Sequence, residues 1–152
     1  MDSNYDLWRV AKHFDDPMKI FAVPDPADEV LDPVDPLGSL LIQNLQGDQL
    51  LERSVFIDDW FCALLSGLAN IRAGNTEAHI DLNSVRDPLI WKALDTGALI
   101  SHKGRSVVIQ DLAAFEQALR RAVLDFTGLY TSHPNWSKCT ELVAVREWAL
   151  RR

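Results

Sequence analysis

Cysteine is scarce in this 152-residue chain: Cys62 and Cys139 are the only two, they form no CxxC pair, and their separation matches no metal-ligand spacing. That leaves neither a disulfide framework nor a zinc site to organise the fold, and both thiols read as reduced, buried side chains. No run of about 18 apolar residues is present, so no membrane-spanning helix is expected. The acidic, polar start from Met1 to Asp6 lacks the basic head and apolar centre of a signal peptide. A cytoplasmic protein is the expectation, for which the Asn135-Trp136-Ser137 sequon has no consequence.

Catalytic templates are missing as well. HExxH, a phosphate-cradling GxxxxGK[ST], GxSxG and GxGxxG are all absent. Histidine occurs four times, at His13, His79, His102 and His133. His79 and Asp81, two apart on a strand, would share a face and could pair, and a solvent-facing pair is preferred there to a metal site. Asp58 and Asp59 are adjacent in a helix, so their side chains diverge by about 100° and cannot share a proton as a catalytic dyad does. Five tryptophans (Trp8, Trp60, Trp91, Trp136 and Trp148) are too scattered to form a base-stacking platform. No catalytic residue, cofactor or metal follows from these patterns, and the chain reads as non-enzymatic.

What the sequence does contain is one ordinary globular domain spanning 1–152, with 47% hydrophobic and 24% charged residues. Its organising stretch is Ser54 to Gly74, where Ile57, Trp60, Phe61, Leu64, Leu65, Leu68 and Ile71 recur at helical spacing and make one wide apolar stripe. Ser54 or Asp58 is the expected cap, and Gly74 the left-handed stop. Gly67 inside that helix costs roughly 1 kcal/mol relative to Ala, so burial of the stripe has to stabilise it.

Ahead of this helix, Tyr5 to Phe14 suits a short helix or arm and Met18 to Val23 an edge strand. Leu40-Leu41-Ile42 and Gln49-Leu50-Leu51 flank a turn at Gln46-Gly47-Asp48. After it, Ala78, Ile80 and Leu82 alternate with polar residues. Leu89 to Leu94, Leu99 to His102 and Val107 to Gln110 then continue an antiparallel meander. Asp111 caps a second helix with Leu112, Phe115, Leu119, Ala122 and Phe126 inward, and a shorter helix runs from about Lys138 to Arg151. The fold expected is α+β: an antiparallel sheet of about four to six strands, two main helices against one face, and a C-terminal helix at an edge.

Charge divides the chain. Residues 1–53 carry eleven acids and four bases, whereas 54–152 carry eleven of each, so the net −7 lies in the first third. The segment 1–38 is acidic and proline-rich, and 39–152 is the compact core. Pro24 to Pro36 holds four of the seven prolines and five acids, Asp25, Asp28, Glu29, Asp32 and Asp35, with no base. It lacks the alternating ligands, glycine and closing glutamate of an EF-hand. A solvated loop is one reading. The sharper one is a proline-stiffened docking surface for a basic protein partner, with Asp25, Asp28, Glu29, Asp32 and Asp35 as its contacts.

Two resemblances attach to particular stretches. Ser84-Val85-Arg86-Asp87-Pro88 through Lys92-Ala93-Leu94, followed by Lys103-Gly104-Arg105, looks like the recognition helix and wing of winged-helix DNA-binding regulators. That likeness implies an alternative binding surface at Arg86, Lys92, Lys103 and Arg105, although the net negative charge opposes phosphate binding. The pattern over residues 39–130 resembles the small immunity proteins of bacterial polymorphic-toxin and contact-dependent growth inhibition systems. It comprises a hairpin, a helix with Asp59-Trp60-Phe61 and Leu64-Leu65 closed by Gly74, a meander, and a helix centred on Ala114-Phe115 and Ala118-Leu119. This second resemblance implies a cytoplasmic protein without catalytic activity that binds a cognate toxin domain. An acidic chain of this kind suits a basic, nucleic-acid-cleaving toxin, because complementary potentials speed capture.

Overall fold

A computed structural model of the chain describes residues 17–25, 32–34, 36–83 and 85–151. The helix or arm expected over residues 5–14 lies outside them. Among the described residues, seven strands and three α-helices form an α+β fold. They run β1 (Met18–Pro24), β2 (Leu37–Asn44), β3 (Gln49–Phe56), α1 (Ile57–Arg72), β4 (Glu77–Ile80), β5 (Leu89–Ala93), β6 (Ala98–His102), β7 (Arg105–Ile109), α2 (Leu112–Gly128) and α3 (Thr140–Leu150). A 3-10 turn at Trp136–Lys138 precedes α3.

The strands form two antiparallel sheets, β1-β2-β3 and β4-β5-β6-β7, where sequence pattern led us to expect one. The pattern marks which residues are half-buried, but strand pairing is a non-local outcome, and α1 interrupts the ladder between β3 and β4. The sheets meet where β7 runs beside β2 and β3. Asn44 holds that seam, donating from Nδ2 to the Val108 carbonyl at 3.1 Å while its Oδ1 accepts the Asp48 amide at 2.9 Å. One side chain thus closes the β2–β3 turn and joins the sheets.

α1 lies mainly against β4 and β5 and also reaches β2 and β3. Trp60, Phe61, Leu64 and Leu68 from its apolar stripe are buried, together with Ile100, Val107, Ile109, Phe115, Leu119 and Phe126. Gly67 matters here for its missing side chain. An ideal Cβ at that position would overlap Nε1, Cε2 and Cδ1 of the Trp91 indole on β5, so the glycine leaves the space into which the ring fits. Trp91 is fully buried and meets Phe115 of α2 edge-on at 5.3 Å, which couples α1, the second sheet and α2 through one ring.

The ends of α1 depart from expectation at one side only. Gly74 adopts φ +96° and stops the helix as expected. At the start, Phe56 is the cap residue and no side chain caps the helix. Ser54 sits at φ 54° before the helix begins, with its hydroxyl 3.4 Å from Asp25 Oδ2. The amide of Ile57 instead donates to the Pro36 carbonyl at 3.0 Å, so the chain leaving the proline-rich segment supplies the missing acceptor. Asp111 does cap α2, its Oδ1 accepting the amides of Ala113 and Ala114 at 2.9 and 3.2 Å.

α3 packs on α2 and α1 rather than at a sheet edge. Arg120 of α2 explains this placement: its guanidinium lies 4.3 Å from the Trp148 ring and donates to the carbonyls of Trp148 and Arg151 at 2.5 and 2.8 Å. Arg146 returns the contact, donating to Thr127 Oγ1 at 2.8 Å. Among the described residues, no helix is long and apolar enough to cross a membrane.

Candidate functional site

Leu89–Ala93, which a winged helix would use as its recognition helix, is strand β5 paired with β4 and β6. That alternative therefore lacks the element it places in a groove. Its four cations also separate. Lys92 is on β5, its ammonium 4.0 Å from Glu77, and Arg86 is exposed on the loop before it. Lys103 and Arg105 line a different hollow together with Arg53. His79 pairs with Glu77, its Nε2 2.5 Å from Oε2, and not with Asp81 as expected. Asp81 follows the end of β4, whereas Glu77 lies two residues earlier on the same strand face.

The acidic segment emerges beside the start of α1. Asp25 donates its amide to the Leu37 carbonyl at 3.0 Å, and Pro36 caps α1 as described above, so both ends of the segment are tied to one place. Asp32 Oδ1 accepts the Val34 amide at 3.0 Å, a local turn that orders this carboxylate. Asp28, Glu29 and Asp35 lie outside the described residues.

At the same pole is a hollow of about 390 Å³ lined by Phe56, Asp58, Asp59, Cys62, Asn83 and Glu141. Two helix starts converge there: Asp58 and Asp59 belong to the first turn of α1 and Glu141 to the first turn of α3. Asp58 and Cys62 lie four residues apart and so share a helix face. Donor atoms of Asp58, Cys139 and Glu141 come within 4.8 Å of one another, a spacing that a cation of partner or solvent origin can bridge.

The electrostatics of this pole are unfavourable in the free protein. Burial pushes the Asp58 carboxyl above its ordinary range, the Asp59 amide opposes that, and the charges of Glu141 and Asp59 add to the rise. Its Oδ1 atom is buried without a hydrogen-bond partner among the described residues. A carboxyl with a raised folded pKa binds its proton more tightly in the native state than in the unfolded one. Its contribution to stability is therefore present at low pH and lost as pH rises through the folded value, so the ionised group opposes folding at neutral pH. A bound cation would relieve that penalty.

The thiols respond to the same charges. Burial, followed by Asp58, Glu141 and Asp59, raises Cys62 to about 11. Cys139 is raised by burial, with the Leu142 amide opposing and Asp58, Glu141 and Asp32 adding. The presence of Asp32 in that set places the proline-rich segment within electrostatic reach of the hollow. Neither cysteine is set up as a nucleophile, because both are held as thiols. At pH 8, native Cys62 has a thiolate population about 100-fold below that of an ordinary thiol, and its alkylation by iodoacetamide is expected to slow by a similar factor relative to the urea-unfolded chain. Peptide mass spectrometry over time measures this; equal native and unfolded rates would contradict the burial.

Comparison with known proteins finds no matching family model, no matching curated protein and no matching solved structure. Sequence reading placed the acidic docking surface in the proline-rich segment and treated Asp58 and Asp59 only as helix-start residues. It did not find Glu141 or the two cysteines, which only the packing of α3 against α1 brings to Asp58. The one local signal was the Asp58–Cys62 spacing, a carboxylate and a thiol on the same helix face.

Proposed function

We propose that the chain is a non-enzymatic protein-binding module, an immunity protein that neutralises a cognate bacterial toxin domain by covering its active site or substrate surface. The observation that carries this reading is the acidic pole, where Asp58, Asp59 and Glu141 of two helix starts line one hollow and the charge of Asp32 in the proline-rich segment reaches the neighbouring Cys139. Carboxylates gathered at an open concavity, one of them partly desolvated and short of a partner, are arranged to receive lysine or arginine side chains. A basic partner, such as a nucleic-acid-cleaving domain, supplies them, and complementary potentials raise its capture rate.

An immunity gene commonly follows its toxin gene, so the protein encoded immediately upstream is the test partner. Co-expression with this chain is expected to restore growth of cells making that upstream protein, and the purified pair to form a stoichiometric complex by size-exclusion chromatography. Growth arrest that persists on co-expression, with the two proteins eluting separately, would reject the reading.

A further inference from the structure

The molecule carries a second, oppositely charged hollow that the proposed function does not use. It has a volume of about 310 Å³ and is lined by Leu51, Glu52 and Arg53 of β3 and by Lys103 and Arg105 of the β6–β7 hairpin. We propose that this hollow is an anion site for a phosphate-bearing small molecule.

Its charge balance points that way. Arg53, Lys103 and Arg105 are exposed, and among the described residues none of the three is engaged in an ion pair. The single carboxylate, Glu52, is turned toward the buried His102, with Oε2 3.3 Å from Nδ1 and only 12% of its side chain exposed. Three cations against one carboxylate leave an excess of two positive charges, which a phosphate dianion matches and a single carboxylate does not. Arg105 is also oriented, donating from Nη1 to the Leu51 carbonyl at 3.3 Å across the seam between the sheets.

Backbone conformation gives an independent reason. His102 pairs with Arg105, so Lys103 and Gly104 form a two-residue hairpin loop, with φ of 52° and 79°. Such a loop favours Asn, Asp or Gly at its first position, and a lysine there is strained. That strain fits a side chain whose ammonium serves at the rim of the hollow. The net charge of −7 repels a long polyanion, and the hollow is the size of a small phosphorylated group, so a free phosphate compound is favoured over a nucleic-acid strand.

Isothermal titration of the full chain with inorganic pyrophosphate at low salt tests this, with a ten-residue oligothymidylate as the comparison ligand. Saturable pyrophosphate binding is expected, weakened at least tenfold in Lys103→Asn and in Arg53→Gln. Lys103→Asn should also unfold about 2 °C or more above the parent, because asparagine suits the left-handed turn position. Lys92→Asn removes an equal charge elsewhere and should bind as the parent does. Tighter binding of the oligonucleotide than of pyrophosphate would overturn the small-molecule assignment. The site itself is overturned if the parent binds neither ligand, or if Lys92→Asn weakens binding as much as Lys103→Asn.

Discussion

Gly67→Ala is expected to destabilise the protein by about 3 kcal/mol, although alanine is the better helix former by roughly 1 kcal/mol. The added methyl group would occupy the volume of the Trp91 indole, which is fully buried. Displacing that ring also disturbs its edge-on contact with Phe115. For a chain of this length the loss corresponds to a fall in Tm of roughly 6–12 °C. Combining Gly67→Ala with Trp91→Phe, which shortens the opposing ring, should recover part of the loss, since contacting residues do not contribute additively. Urea unfolding of the single and double variants measures both. A Gly67→Ala protein more stable than the parent would show that helix propensity outweighs the packing described here.

This position shows how much of the fold was legible in the sequence. Gly67 was recognisable as an internal helix glycine with a propensity cost, but its reason lies on β5, more than twenty residues away. The core helices were legible because a 3.6-residue period is a local property, and Asp111 was legible because a cap bonds to amides two and three residues on. Ser54 failed as a cap for the converse reason: the acceptor for the Ile57 amide comes from Pro36, which no local rule selects. The division into two sheets, the docking of α3 through Arg120 and the meeting of Asp58 with Glu141 are tertiary outcomes that a single sequence does not encode in any window. Turn chemistry was legible at Lys103-Gly104, but the approach of Arg53 to that hairpin was not.

The largest functional effect is expected at the acidic pole. Neutralising Asp25, Asp28, Glu29, Asp32 and Asp35 together should lower the association rate with a basic partner at least tenfold at low salt. Stability should stay within about 1 kcal/mol of the parent, because the hydrogen bonds that Asp25 and Asp32 accept from Ser54 and Val34 lie at the surface. Glu141→Gln should act on the other kinetic step. It removes a carboxylate from the hollow, so a lysine or arginine seated there loses part of its counter-charge and the complex dissociates faster. The same change lowers the negative charge acting on Asp58 and Cys62, and so should leave the fold at least as stable as before. These substitutions should thus change binding without unfolding the protein.

The most direct measurement is stopped-flow association of the chain with the upstream-encoded protein, recorded from about 20 to 500 mM salt for the parent, the five-site variant and a Lys103→Glu, Arg105→Glu variant. Docking at the acidic pole predicts a parent rate that falls steeply with salt, a five-site variant at least tenfold slower with a shallow salt dependence, and a hairpin variant that associates at the parent rate or faster. A five-site variant that bound as fast as the parent, with binding abolished by the hairpin substitutions, would contradict the account and move the docking surface to the basic hollow.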